Sequence, residues 1–114
     1  MPNQEHTLDD VFRALADPTR RAVVQRLSAG PASVKELAEP FDMALPSFMQ
    51  HLRVLEESGL VLSRKKGRVR TCHIKPRELG EAEEWFARLR AVWEGRFDRL
   101  GTYLDELQNK GGRT

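Results

Sequence analysis

The chain has a single cysteine, Cys72, among its 114 residues, and only three histidines. One cysteine excludes a disulfide within the chain, and with it the stapled fold of many small secreted domains. The histidines His6, His51 and His73 are scattered along the sequence. Zinc sites use about four cysteine or imidazole ligands at regular spacings. The sequence therefore predicts no metal site and no cofactor.

Long apolar runs are also absent. No stretch approaches the roughly 18 apolar residues of a membrane-spanning helix, so we expect no membrane partner. The first ten residues lack a charged segment followed by an apolar core, so we expect no signal peptide and a cytoplasmic protein. The sequence contains no glycine-rich phosphate loop, no nucleophile motif and no evident carboxylate pair. These absences argue against an enzyme.

Charged residues are abundant and unevenly distributed. They make up 32% of the chain, against 39% apolar residues, which is typical of a soluble, helical protein, and the length suits one domain over residues 1–114. The net charge is only +2. Between Ala44 and Pro76 there are seven basic and two acidic residues, whereas the remainder has 12 basic and 15 acidic residues. Binding to phosphates requires such a local concentration of positive charge.

The segment from Ser33 to Leu60 has the pattern of two short helices joined by a turn. Ser33 and Glu36 form a capping box, which marks a helix start. A second helix begins around Ala44–Pro46 and ends at Gly59, which allows a left-handed backbone past the last turn. Apolar residues at helical spacing predict a buried face, made by Val34, Leu37, Ala38, Phe41, Phe48, Leu52 and Leu55. This order, over residues 33–59, indicates a helix-turn-helix, although the same geometry also occurs as plain packing.

A β-hairpin is predicted directly after this unit, over residues 60–75. Residues 60–64 and 69–74 are rich in β-forming side chains and flank Lys66-Gly67. Five of the seven residues at its tip, 64–70, are basic. A basic hairpin in this place is typical of the wing of a winged-helix domain, whose tip can reach a DNA backbone or minor groove. The alternative is a merely solvated group of charges.

Two helices are predicted before the helix-turn-helix. The first begins at Thr7 and ends before Asp17-Pro18, because the residue before a proline avoids helical geometry. The same pair begins the second helix, with Asp17 as N-cap, and this helix runs to about Ser28. Three arginines on the second helix are expected to form a solvated face, with a phosphate contact by one of them as the alternative: Arg20, Arg21 and Arg26.

A long helix is predicted over residues 77–108. Its apolar residues recur at steps of three and four over some seven turns, nearly a heptad repeat. A small domain cannot cover such a stripe by itself, so we predict a homodimer, with packing inside one subunit as the alternative. The predicted interface comprises Leu8, Phe12, Phe86, Leu89, Trp93, Phe97, Leu100 and Leu104. Three glycines in this helix either allow close helix approach or mark breaks: Gly80, Gly95 and Gly101.

The order of these elements predicts a mainly α fold with a small β-hairpin, namely a winged helix-turn-helix with a long C-terminal dimerisation helix. It resembles the ArsR/SmtB family of bacterial winged-helix repressors over nearly the whole chain. The resemblance is carried by FRALADPTRRAVVQRL (12–27), VKELAEPFDMALPSFMQHLRVLEESGLV (34–61) and the wing SRKKGRVRTCHI. The run over residues 45–61 is similar to a branch often encoded beside START-like proteins, an association that indicates no ligand.

The resemblance implies a homodimer that binds double-stranded operator DNA, with residues 45–57 as the recognition helix. With the apolar face turned inward, the side chains left for the DNA groove are Ser47, Gln50 and His51, with Met49 at the margin. The side chains implied to bind phosphates or the minor groove are Arg53, Arg64, Lys65, Lys66, Arg68 and Arg70. Family members often have Ser-Gln where this chain has Ala44-Leu45, which removes an N-cap hydroxyl and a polar base contact.

Many family members bind metals through a Cys-x-Cys pair near the start of the helix before the recognition helix, where this chain has Ser33 and Lys35. A second family site uses histidines on the last helix, which here has none. We therefore expect no transition-metal site, and an effector, if one exists, is an unknown small organic molecule or a partner protein. For Cys72 we expect a small side chain on a wing strand, with redox sensing as the alternative.

The rival hypothesis is a winged-helix interaction module that binds protein and has no specific DNA binding. The basic wing argues against it, because such a module has no need of five positive charges at the tip. Salt would discriminate the two, since binding through several phosphates weakens steeply as salt rises. The sequence does not distinguish a repressor from an activator.

Overall fold

The computed structural model describes residues 8–111, without the side chains at positions 97, 98 and 109–111. Along this part of the chain the elements are α1 (Leu8–Leu15), α2 (Pro18–Leu27), β1 (Ala32–Ser33), α3 (Val34–Ala38), α4 (Leu45–Glu57), β2 (Val61–Lys66), β3 (Val69–Ile74) and α5 (Pro76–Gly111). The predicted mainly α fold with a basic hairpin and a long C-terminal helix is confirmed. The predicted helix start at Thr7 and the histidine at position 6 lie outside the described residues.

The helices begin where local side-chain chemistry favours a start. The Asp17 carboxylate caps α2 by accepting a 3.0 Å hydrogen bond from the backbone N–H of Arg20, and Pro18 occupies the first turn. Ser33 and Glu36 form the predicted capping box at α3, with both hydrogen bonds at 3.1 Å. The N-cap of α4 is Ala44, which offers no side-chain hydrogen bond.

Three antiparallel strands form one sheet in the order β1-β3-β2. The hairpin register runs from Val61 opposite Ile74 to Lys66 opposite Val69. Its two-residue turn is therefore Gly67-Arg68, one residue later than the predicted Lys66-Gly67. Gly67 has a φ of 63°, which a glycine adopts without steric cost. The sequence pattern also missed β1, which pairs with β3 on the other side from β2.

The core lies between the first four helices and the sheet. Phe48, Leu52 and Leu55 on α4 are buried, which confirms the predicted inward face of that helix. They meet buried side chains of α1, α2 and α3, including Val11, Val23 and Leu37. Burial of each large apolar side chain contributes roughly 1.5–3 kcal/mol. This packing fixes which face of α4 is left to solvent.

The chain divides into two compact units, with Ala82 closing the first and Glu83 opening the second. Leu79 is half-buried and Ala82 is buried against the core of the first unit. Helix α5 is continuous through Gly80, Gly95 and Gly101, so the alternative that these glycines mark breaks is wrong. Among residues 8–111, no helix combines the length and hydropathy needed to cross a membrane.

The second unit is the remainder of α5, and most of its large apolar side chains face solvent. Trp93 is 55% exposed and Leu100 is 51% exposed. The same holds for Phe86, Leu89, Val92, Tyr103, Leu104 and Leu107. Within the described chain this stripe is therefore not buried by packing inside one subunit.

Candidate nucleic-acid interface

The solvent face of α4 carries most of the predicted groove-facing side chains. Ser47, Gln50 and Arg53 are exposed, and Met49 is half-buried. Their exposure follows from the packing of α4, because the helix turns its three large apolar side chains into the core and leaves the side chains on its opposite face in solvent. Leu45 is also exposed, at 56%, in the first turn of the helix. The first two residues of that turn, Leu45 and Pro46, therefore present carbon rather than polar atoms to solvent.

His51 lies on the same helix, but its side chain contacts residues at the start of α2. Its Nδ1 is 3.1 Å from Nη1 of Arg20 and 3.7 Å from a carboxylate oxygen of Asp17. Because a guanidinium can only donate hydrogen bonds, the contact with Arg20 is a hydrogen bond only in the tautomer whose Nδ1 carries no proton. The side chain is 24% exposed. His51 therefore links α4 to the start of α2 and is only partly exposed to solvent.

Arg20 departs from the expected solvated face. Its Nε donates to the carbonyl oxygen of Ala14 at 2.7 Å, and its Nη2 donates to that of Arg13 at 3.2 Å. These carbonyls belong to the last turn of α1, where the regular helical hydrogen bonds end. That of Arg13 also accepts from the backbone N–H of Ala16 at 3.2 Å. Arg20 thus caps α1 and contacts α4 through His51, a role that the sequence analysis missed.

Arg21 and Arg26, the other two arginines of α2, are exposed as expected. Each donates to a nearby backbone oxygen, Arg21 to Leu15 at 2.9 Å and Arg26 to Gly30 at 3.3 Å. Nη2 of Arg26 also lies 4.0 Å from a carboxylate oxygen of Glu36.

Asp17 is the anionic member of the contact around His51. Burial raises the pKa of its carboxyl, but the backbone hydrogen bond from Arg20 and the charges of His51 and Arg20 lower it, so that the pKa lies below its usual value. The carboxylate is therefore ionised at neutral pH. It caps α2 and faces the histidine of α4 at the same time.

The tip of the wing is strongly positive. Among the residues that the structure describes, none forms an ion pair or a side-chain hydrogen bond with the four cations there: Arg64, Lys65, Lys66 and Arg68. All four side chains are exposed. Lys65 and Arg68 also line an open groove of about 660 Å³ that reaches Met49 on α4 and Lys35 on α3. The wing tip and α4 thus border one basic groove.

Arg70 differs from the other wing cations, because it is held in an ion pair. Its Nη2 lies 3.1 Å from a carboxylate oxygen of Glu56, on the last turn of α4. Its Nε donates to Oγ of Ser63 at 2.9 Å. Of the predicted phosphate ligands, it is the one whose charge is already matched by an anion.

Cys72 is fully buried on β3 between the hairpin and the core. Burial raises the pKa of its thiol to about 11, with a smaller increase from the Glu56 carboxylate and an opposing decrease from Arg70. A thiol with so high a pKa is a weak nucleophile at neutral pH. The structure therefore favours the expected small side chain on a wing strand over redox sensing.

The predicted interface residues lie on both units. Leu8 and Phe12 on α1 are half-buried and pack against the core of the first unit. The predicted residues on α5 from Phe86 to Leu104 are exposed where their side chains are described, and the side chain of Phe97 lies outside that set. Across the described residues, no group of three or more His, Cys, Asp or Glu side chains is arranged to hold a metal ion.

Comparison with known proteins identifies the family to which this fold belongs. A family model for a helix-turn-helix domain matches residues 15–64. The HTH-type transcriptional regulator Rv2034 of Mycobacterium tuberculosis is 44% identical over 68 residues, which are 60% of this chain and 64% of the relative. The transcriptional repressor SdpR of Bacillus subtilis is 33% identical over 60 residues, which are 53% of this chain and 67% of that repressor. A crystal structure of an ArsR family transcriptional regulator is 57% identical, with a TM-score of 0.73, and the match covers 76% of this chain and 90% of that one. The chain belongs to the ArsR family of transcriptional regulators.

Membership of the ArsR family confirms the resemblance found in the sequence. The relatives are named transcriptional regulators and repressors, which supports DNA-binding regulation as the general function. The chain spans about half to two thirds of the length of several curated relatives, for example 64% of Rv2034 and 50% of the arsenical resistance operon repressor of Escherichia coli.

Proposed function

We propose that this ArsR-family chain is a homodimeric repressor that binds a pseudo-palindromic operator through α4 and the wing. The observation that carries the proposal is the basic groove bordered by the solvent face of α4 and by the wing tip. On the α4 side this groove is lined by Met49, and on the wing side its lining includes Lys65 and Arg68, which no described anion neutralises. Such a surface suits the negative potential of duplex DNA.

The two parts of this surface have different tasks. Gln50 can pair bidentately with the edge of an adenine, and Ser47 can donate to a base edge or to a phosphate. Arg53 and the four cations of the wing tip bind phosphates or the minor groove, which orients the protein on the duplex without selecting its sequence. If all five bind phosphates, the ten contacts of a dimer would give a slope of roughly −9 in a plot of log affinity against log salt.

The homodimer is supported by the apolar stripe of α5. A helix of 36 residues is about 54 Å long, and its described apolar side chains beyond Ala82 are largely exposed. Their steps of three and four residues suit a partner helix that runs along the stripe. A second copy of α5 has the matching length and pattern. Two-fold symmetry of the protein then requires two half-sites in the operator.

Selection of bound duplexes from a random DNA pool tests the proposal as a whole. We expect enrichment of a pseudo-palindrome, and binding of the selected duplex should weaken steeply as salt rises. A folded, dimeric protein that enriches no sequence would contradict the proposal and favour a protein-binding module.

Substitution of the wing and of α4 separates the two tasks. Replacing Lys65, Lys66 and Arg68 together with alanine should weaken binding to all sequences and flatten the salt slope. Gln50→Ala should mainly reduce the preference for the selected sequence. Arg88→Ala, on the exposed part of α5, controls for the loss of positive charge. If the wing and α4 variants lose affinity equally, with unchanged sequence preference, the division of tasks is wrong.

Substitution on the α5 stripe tests the dimer. Leu100→Glu should dissociate it, because a carboxylate without a partner is costly in a desolvated interface. Thr102→Glu adds the same charge to the same helix at an exposed position off the stripe and should leave the dimer intact. Light scattering gives the mass of each variant, and a Leu100→Glu protein that stays dimeric would place the interface elsewhere.

A further inference from the structure

Three side chains join the wing to the end of α4, and we call them the wing clamp: Glu56, Ser63 and Arg70. Oγ of Ser63 donates to Oε2 of Glu56 at 2.9 Å and accepts from Nε of Arg70 at 2.9 Å. Nη2 of Arg70 then donates to the same Oε2 at 3.1 Å and lies 3.4 Å from Oε1. Each member contacts both of the others, so the three side chains form a closed ring of hydrogen bonds.

The strand register explains how the ring forms. Ser63 lies opposite Cys72, and Lys65 lies opposite Arg70. Side chains two residues apart on a strand share a face of the sheet, so Arg70 and Ser63 are diagonal neighbours on the face that contains the buried Cys72. That face is turned to α4, whose last turn carries Glu56. The clamp therefore connects both strands of the wing to one point of the proposed recognition helix.

The clamp also divides the wing cations into two classes. The tip cations are exposed and have no anionic partner among the described residues. Arg70 is 42% exposed and Glu56 only 26%, and the guanidinium and the carboxylate neutralise each other. A cation that is already paired releases no net counterion charge when DNA approaches, unless the ion pair first breaks.

We infer that Arg70 is a positioning residue of the wing and not a phosphate ligand, and that Glu56 and Ser63 hold it in that role. This inference rests on the proposed function, since it concerns how the wing meets DNA. It revises the sequence-based assignment of Arg70 to the phosphate-binding set. The clamp sets the angle of the hairpin relative to α4, so that the tip cations and the groove-facing side chains of α4 engage one duplex together.

The dependence of DNA affinity on salt reports the number of phosphate contacts. It therefore distinguishes an Arg70 that positions the wing from an Arg70 that contacts a phosphate directly. Glu56→Gln keeps the size of the side chain but removes its charge, so it frees the charge of Arg70. The slope of this variant should steepen by about 0.9 per protomer. The Glu56→Gln/Arg70→Gln double variant keeps the net charge and all the tip cations, so it should retain the wild-type slope. It should bind more weakly at every salt concentration, because the hairpin is no longer held against α4. Lys66→Gln is the control for a true phosphate ligand and should flatten the slope by about 0.9 per protomer.

The opposite pattern would overturn the inference. If Glu56→Gln leaves the slope unchanged, and the double variant flattens it as much as Lys66→Gln does, then Arg70 binds a phosphate directly. A wild-type protein without salt-dependent DNA binding would instead refute the proposed function. The two failures are therefore distinguishable.

Amide hydrogen exchange measures the positioning role without DNA. Exchange in β2 and β3 should be about tenfold faster in the double variant than in the wild type, because the hairpin loses its attachment to α4. In Lys66→Gln it should be unchanged. Circular dichroism identifies any variant that is unfolded as a whole. Equal exchange in the double variant and in Lys66→Gln would show that the ring does not hold the wing.

Discussion

Replacing Arg20 by methionine tests how α1, α2 and α4 are held together. Methionine keeps most of the apolar stem and removes every hydrogen bond of the guanidinium. The change breaks the bonds to the carbonyl oxygens of Ala14 and Arg13 and the contact with His51. Because Ala14 is fully buried, its carbonyl oxygen has no ready replacement in water.

The magnitude follows from these three contacts. A hydrogen bond from a charged donor to a buried acceptor contributes about 1.5 kcal/mol or more, and the more exposed bond to Arg13 contributes less. Together with the contact to His51, the expected loss in the free energy of unfolding is about 3 kcal/mol. Arg21→Met is the matched control, because it removes one exposed hydrogen bond to the carbonyl of Leu15. Its expected loss is about 0.5 kcal/mol.

Urea unfolding followed by circular dichroism measures both variants. For Arg20→Met the midpoint should fall by roughly 1 to 3 M, with an unchanged dependence on denaturant. Measurements at two protein concentrations separate a change in the folded subunit from a change in dimerisation. If the two arginine variants differ by less than about 1 kcal/mol, the capping role of Arg20 is refuted.

Three further predictions concern stability. Because burial raises the pKa of Cys72 from 9.0 to about 11, the stabilising effect of the protonated thiol is complete below pH 9 and is lost as the pH rises through 11. The free energy of unfolding of the wild type should therefore fall by up to about 1.4 kcal/mol per pH unit in that range relative to that of Cys72→Ala, as measured by urea unfolding. Asp17→Ala removes the N-cap of α2 and should lower the free energy of unfolding by about 1 kcal/mol at pH 7. The difference in this free energy between wild type and variant should shrink as the pH falls from 3.8 through the lowered pKa of Asp17 in the folded state, as measured by acid unfolding. Gly67→Ala should lower the melting temperature because its φ is 63°, whereas Gly80→Ala should raise it, since a methyl group there meets nothing within 4 Å and favours the helix by about 1 kcal/mol.

Local chemistry made the helix starts predictable. A carboxylate or hydroxyl that caps a helix bonds to a backbone N–H three residues on, so the signal lies within one short window of sequence. The capping box of Ser33 and Glu36 and the N-cap at Asp17 are of this kind, and both are present. The inward face of α4 was predictable for a similar reason, because its apolar residues repeat with the period of a helix.

Contacts between distant segments were not predictable in this way. Strand β1 has two residues, too few for a periodic pattern, and its partner strand lies far along the chain. Arg20 reaches α1 and His51 only because three helices cross at that point. The pair of Arg70 and Glu56 depends on the register of a hairpin whose turn was predicted one residue too early. In each case the sequence gives the residue type, and tertiary packing decides the partner.

The outer edge of the hairpin has a second physical role. Strand β1 pairs with β3 only at Thr71 and Cys72. Among residues 8–111, the outer part of β3 and the whole outer side of β2 are therefore open edges of the sheet. An open edge is a template on which another chain can add a strand, which is a route to aggregation. Along this edge the chain places three consecutive cations, Arg64 to Lys66, and like charges on two such hairpins repel each other. Neutralising the wing would therefore reduce the solubility of the protein as well as its contact with phosphates.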